Sequence, residues 1–175
     1  MKRAWSSSKI VAAVGSLLFA AAAGPAAMAA EAKATIQPKS GSTVTGTARF
    51  TDVDGRGVKI VVDVENAPPG VHGLHVHEKG DCSAPDAMSA GAHFNPAGNP
   101  HAGPKDKARH NGDFGNIEVG QNGKGHLEIA DDLLTAAPGP NSVVGRAIVF
   151  HAQPDDLKSQ PAGNSGPRLG CGVIE

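Results

Sequence analysis

The 175-residue chain has no tyrosine, one tryptophan, and aromatic residues at only 3%. Charge of one sign is missing as well: 16 Lys and Arg stand against 17 Asp and Glu, a formal −1. A nucleic-acid binder would show a basic surplus, and an acidic disordered chain would show the opposite. The apolar run Ile10–Ala23 is 14 residues long, short of the roughly 20 that span a bilayer. Cysteine is scarce, at two. Against these shortages stand 23 Gly, 13 Pro and 8 His. So much Gly and Pro opposes a helical bundle or coiled coil and favours many short strands joined by turns. The length suits one domain.

The first thirty residues read as an address. Lys2, Arg3 and Lys9 precede the apolar run, and Ala27-Met28-Ala29 is a small-x-small cleavage site. This is the pattern of a secretory signal peptide, with an uncleaved anchor as the alternative. No Cys stands at the junction to carry a lipid, and Lys2-Arg3 is not a twin-arginine pair. Residues 1–30 are therefore the expected signal and 31–175 the mature domain. Removing the leader takes three of the 16 basic residues and none of the 17 acidic ones, which leaves 13 against 17, a formal −4. Trp5 also goes, so the mature protein should absorb almost nothing at 280 nm. Cys82 and Cys171 form an even pair in an exported chain, and a disulfide is the default reading over two buried thiols.

Alternation and turn residues predict about eight strands. They are Ala34–Ile36, Thr43–Asp52, Val58–Glu65, Gly73–Glu78, Asn116–Val119, Gly125–Ala130, Val143–His151 and Gly172–Ile174. Asp54-Gly55-Arg56-Gly57 and Asn122-Gly123 are turn signals, and Ala67-Pro68-Pro69-Gly70 is a stop. No convincing amphipathic helix exceeds two turns. Glu78–Phe114 and Ala152–Gly170 break the spacing as two long loops. Unstructured loops beyond about 12–15 residues in a compact domain are usually functional, so something must order these two.

The histidines suggest what does. His75 and His77, at i and i+2 in a strand, put both imidazoles on one face. His93, His101, His110 and Asp113 are spread over the first long loop. Three imidazoles and a carboxylate make a closed tetrahedral zinc set, although a solvated polar loop remains the alternative reading. A metal would supply order that hydrophobic residues do not. His151 ends a strand, His72 lies three residues before His75, and His126 reads as a surface residue without a partner. Imidazole ligands without thiolate suit zinc and copper alike. Spacing alone leaves the reading at an exported β-domain with one or two metal sites.

Five blocks carry a resemblance. Gly73-Leu74-His75-Val76-His77-Glu78-Lys79-Gly80-Asp81-Cys82, His93-Phe94-Asn95-Pro96, His110-Asn111-Gly112-Asp113, Gly145–His151 and Gly163–Gly172 resemble, in order, the signatures of copper/zinc superoxide dismutases. The signal sequence fits the bacterial exported branch. The resemblance implies an all-β fold, an eight-stranded flattened Greek-key barrel of immunoglobulin-like sandwich type with two long functional loops. It implies one copper and one zinc ion per subunit: His75, His77, His93 and His151 on copper, and His93, His101, His110 and Asp113 on zinc. His93 would then bridge the two. It further implies that Arg168 is the arginine beside the open copper position, that Asp155 links a copper His to a zinc His, and that His72 supports the copper-bearing strands. Cys82 and Cys171 match the family's disulfide.

The implied activity is dismutation of superoxide, with superoxide as substrate, no nucleic acid, no membrane after signal cleavage, and a homodimer allowed. The periplasm is the expected location. An exported metal-binding or metal-delivery module on the same fold is the alternative. Two departures stand out. The Asp156–Arg168 loop is shorter than in eukaryotic cytosolic relatives, and Lys158 is the one nearby cation left to shape the field there.

Overall fold

The computed structural model describes Met1, residues 29–53 and residues 57–175. Most of the signal reading and most of the Asp54–Gly57 turn therefore lie outside the described residues. Eight strands follow in order: β1 Glu31–Pro38, β2 Thr45–Asp52, β3 Val58–Glu65, β4 Gly70–His77, β5 Asp113–Val119, β6 Gly125–Asp131, β7 Ala147–His151 and β8 Arg168–Val173. Among the described residues, the helical element is one 3-10 turn, Met88–Ala90.

The strands form because their apolar residues recur every second position. In β3, Val58, Ile60, Val62 and Val64 are buried while Lys59, Asp63 and Glu65 face water. Eight antiparallel strands close on themselves in the order β1-β2-β3-β6-β5-β4-β7-β8. The closing pair is Gln37↔Cys171 and Pro38↔Gly170. The neighbours β3/β6 and β4/β7 are not consecutive in the chain, which is the Greek-key crossover. Closure is narrow at two seams, with two pairs between β1 and β8 and one between β5 and β6.

Five strands exceed their expected bounds: β1 at both ends and β6 at Asp131, as well as β4, β5 and β8. β4 begins at Gly70, directly after Pro68-Pro69, because β5 runs beside it from Gly70↔Val119 to His75↔Asp113. β5 in turn begins at Asp113, and β8 begins at Arg168, where it meets His151 of β7. The Asn122-Gly123 turn is present, with Gly123 at φ 73. Its arms pair only at Val119↔Gly125, because β6 is engaged along its length by β3.

Phe50, Phe114, Phe150, Ile36, Ile60 and Leu74 are fully buried inside the barrel. β7, and β4 from His72 onward, are buried on both faces. Leu74, Val76, Ile148 and Phe150 point into the core. On the outer face Ala147 and Val149 pack beneath Ala87, Ala90 and Cys171 in a second small cluster. Cys82 and Cys171 are disulfide-bonded across a sequence separation of 89. The bond pins the first long loop to β8. The β4–β7–β8 wall is thus a platform, and the two long loops lie against its outer side.

Candidate metal centre

Alternation in β4 sends Leu74 and Val76 inward and His75 and His77 outward, under the loops, where they are 0% and 1% exposed. The first loop then returns to the same strand. Phe94 N–H donates to Val76 O (2.8 Å), Val76 N–H to Gly112 O (3.0 Å), and Gly112 N–H to Phe94 O (3.0 Å). This stitching sets His93 opposite His77 as an isolated bridge. It also delivers His110 and Asp113 beside His93. His151, at the end of β7, faces the same space.

Each imidazole commits one nitrogen to a protein partner and leaves the other free. His75 Nε2 donates to Asp155 Oδ2 (2.8 Å). His77 Nδ1 donates to Gly91 O (2.9 Å), and His151 Nδ1 to Gly166 O (3.2 Å). His93 Nδ1 lies 2.8 Å from Asp113 Oδ1. The free atoms are therefore His75 Nδ1, His77 Nε2, His93 Nε2 and His151 Nε2. On the other side, Asp113 Oδ1 is approached by Nδ1 of His93, His101 and His110 at 2.8, 3.0 and 3.3 Å. In each group of four residues the candidate ligand atoms lie within 4.8 Å of one another, and every residue is buried.

These groups fit metal ions better than they fit each other. His75 Nδ1, His93 Nε2 and His101 Nδ1 are buried yet have no hydrogen-bond partner, a state that costs about 1–3 kcal/mol per group when nothing fills it. His101 Nδ1 sits 3.0 Å from Asp113 Oδ1 without hydrogen-bond geometry, as two atoms do when both aim at a third. A tetrahedral ion with bonds of ~2.0–2.1 Å separates its ligands by about 3.3 Å, and His77 Nε2 and His151 Nε2 are 3.4 Å apart. Three imidazoles and a carboxylate suit zinc, and four imidazoles suit copper.

The electrostatics keep the donor atoms of His75, His77, His93 and His151 available. Burial, with the neighbouring imidazoles and Arg168 adding to it, holds His77 and His151 well below the ordinary imidazole range. Burial also lowers His93 to about 4, against the pull of Asp113, and it lowers His75 against Asp155. These four rings are neutral at pH 7. Burial works against His101 too, but the neighbouring carboxylates of Asp113 and Asp155 outweigh it and raise that ring to about 9, so it would release a proton on binding an ion. Asp113 is held well below the carboxylate range, because the three imidazoles around it, His101, His110 and His93, overcome its burial.

The sequence pattern of the family described as copper/zinc superoxide dismutase matches residues 44–174. The chain belongs to the copper/zinc superoxide dismutase family. A relative described as "Superoxide dismutase [Cu-Zn]" from Onchocerca volvulus is 41% identical over 144 residues, covering 77% of this chain and 90% of the relative. A solved structure described as that of the clock protein EA4 is 37% identical with a TM-score of 0.76, covering 84% of this chain and 94% of the other.

As a superoxide dismutase family member, the chain keeps a copper site of His75, His77, His93 and His151 and a zinc site of His93, His101, His110 and Asp113, with His93 common to both. Asp155 stands between the two. Its Oδ2 accepts from His75 Nε2 (2.8 Å) and its Oδ1 from His101 Nε2 (2.9 Å). His72 Nδ1 is 3.0 Å from His151 O, its Nε2 is 2.8 Å from Pro68 O, and its ring lies on Phe150 at 4.8 Å. Arg168 opens onto a pocket of ≈ 570 Å³ together with His93, Met88, Gly91 and Pro161. Its guanidinium donates to Ala87 O and Gly91 O, both at 2.8 Å. Lys158 is exposed on the second loop.

Several contributors had no signal in the sequence. Ala87, Gly91 and Gly166 act through main-chain carbonyls. Asn116 clasps Asp155 twice, accepting from its N–H (2.7 Å) and donating to its carbonyl (2.9 Å). Gln160 brackets the main chain of His101 in the same way, at 2.8 Å on each side. Arg109, next to His110 and only 3% exposed, pairs with buried Asp131 at 2.8 Å and so ties the zinc loop to β6. His126 is at the surface as expected but is not partnerless. It meets Asp63 at 2.7 Å, because β3 and β6 pair in the register Asp63↔His126.

Proposed function

We propose that the chain converts two superoxide ions and two protons to dioxygen and hydrogen peroxide, as an exported enzyme of the bacterial branch. One observation carries the reading. Four buried imidazoles aim their free nitrogens at one point beside Arg168, and one of the four, His93, reaches the second cluster with its other nitrogen. Copper held by His75, His77, His93 and His151 would supply the electron exchange between two superoxide ions, and zinc would be held by His93, His101, His110 and Asp113.

The remaining steps belong to the protein. Arg168 draws the anion into the pocket and orients it. Its charge must act locally, because the mature chain carries a formal −4 after the leader's three basic residues are removed from the 16 set against 17 acidic ones. His93 holds or releases a proton at Nε2 beside the reacting oxygen. Asp155 keeps the His75 and His101 rings in one tautomer, as groups that hold metal-ligand histidines do. A delivery module would need neither the full set of seven ligand positions nor the arginine.

The Arg168→Glu variant tests the reading. Metal content should match the wild type, the rate should fall sharply, and the salt dependence should weaken or invert. Normal activity would remove Arg168 from the mechanism. Zinc removal from the wild type should change the copper spectrum, and an unchanged spectrum would count against a shared His93.

Residues 1–30 as a signal, 31–175 as the mature domain and the periplasm as destination complete the proposal, and the disulfide is consistent with an oxidising compartment. The mass of the protein recovered from the periplasm checks all three. A homodimer belongs to the same reading, since Val144 (46% exposed) and Val173 (41%) stand at the surface. Sedimentation decides it.

A further inference from the structure

The turn between β1 and β2 belongs to neither metal loop, yet it grips both segments that hold Arg168. Lys39-Ser40-Gly41-Ser42 is closed by Ser42 N–H to Lys39 O at 2.9 Å. Its central residues have φ 52 and 72, the type I′ arrangement. Toward β8, Lys39 N–H donates to Leu169 O (2.8 Å), Ser40 Oγ to Arg168 O (2.9 Å) and Ser42 Oγ to Leu169 O (2.5 Å). Toward the first loop, Ser40 N–H donates to Pro85 O (2.8 Å) and Lys39 Nζ to Cys82 O. That loop supplies the Ala87 and Gly91 carbonyls that hold the guanidinium.

Ser40 is the informative residue. It is exposed, so burial does not account for it. It also stands in a left-handed conformation that costs a non-glycine residue about 1–2 kcal/mol. Glycine would remove that strain and keep the turn. What glycine lacks is the hydroxyl on the Arg168 carbonyl.

We propose that this turn is a clamp that positions Arg168, with Ser40 and Ser42 fixing the arginine's own main chain while Lys39 and the Ser40 amide fix the loop that holds its guanidinium. Anion affinity at the open copper position then depends on residues more than 120 positions away in sequence. The inference rests on the reading of Arg168 as the anion-recruiting group.

The test is an azide titration of the copper band in the fully metallated protein. Ser40→Gly keeps the backbone shape and deletes the hydroxyl; the double variant with Ser42→Ala removes both ties. Ser40→Gly should melt at or above the wild-type temperature, with an unchanged spectrum before azide is added. The double variant should bind azide roughly three- to ten-fold more weakly. Ser40→Gly alone should bind azide about two- to three-fold more weakly, a loss that stability cannot explain in a variant that melts no lower than the wild type. Wild-type azide affinity in the double variant, alongside weakened binding in Arg168→Gln, would overturn the clamp and leave the Arg168 reading intact. Wild-type azide affinity in Arg168→Gln would overturn both.

Discussion

Gly163 offers a sharp test of the Asp155 linkage. It sits at φ +63 on the second loop, with no side chain between it and the carboxylate. A Cβ placed there would overlap Asp155 Oδ1 and stand 2.7 Å from both Asp155 Cγ and His101 Nε2, where ordinary contact begins at 3.4 Å. In Gly163→Ala the overlapping Oδ1 must retreat by more than about 1 Å, which stretches the carboxylate's bonds to His75 and His101 beyond hydrogen-bond range. Each buried N–H left unpaired costs about 1–3 kcal/mol, and the left-handed backbone adds about 1–2 kcal/mol. The expected destabilisation is roughly 3–8 kcal/mol. Loss of such supporting contacts lowers metal affinity about 10–100-fold.

The assay is zinc competition against a chromophoric chelator, with thermal unfolding in parallel. Gly98→Ala is the control. Gly98 has φ +69 in the first loop with nothing within 4 Å, so it carries the backbone cost alone and should bind zinc within about three-fold of wild type. Equal zinc affinity in the two alanine variants would refute the role given to Asp155.

Other expectations follow from the same contacts. Arg109→Met leaves Asp131 buried without its partner, a loss of about 3–5 kcal/mol; the melting temperature should fall by roughly 10 °C, and zinc held through His110 should bind more weakly. Cys82→Ser removes a link spanning 89 positions, worth about 4–5 kcal/mol by chain entropy, and urea unfolding of the metal-free protein should show it. Burial opposes ionisation of Asp52, but hydrogen bonds from Thr135, Ala136 and Ala137 prevail and lower its pKa. Its stabilisation is therefore full above the unfolded value of about 3.9 and is lost as pH falls through the folded one. Asp52→Asn should destabilise the metal-free protein at pH 7, and the difference should shrink in acid.

The strands were legible because apolar residues alternate, and Val58–Glu65 keeps its expected bounds. The starts of β4, β5 and β8 were not, because each is set by a neighbour in the barrel rather than by its own residues. Ligand types and the His75–His77 face could be read from spacing. The sharing of His93 could not, since it depends on Nδ1 and Nε2 facing opposite clusters. The carbonyls of Ala87, Gly91 and Gly166 leave no trace in residue identity. Asp63 as the partner of His126 needed the β3–β6 register, a crossover between strands far apart in the chain.

The most direct test of the central claim is superoxide decay in the presence of the mature protein loaded with copper and zinc. The two-site account predicts rapid catalytic decay that cyanide abolishes by occupying the open copper position and that protein carrying zinc alone lacks. Decay no faster with the copper- and zinc-loaded protein than with the zinc-only form would contradict it.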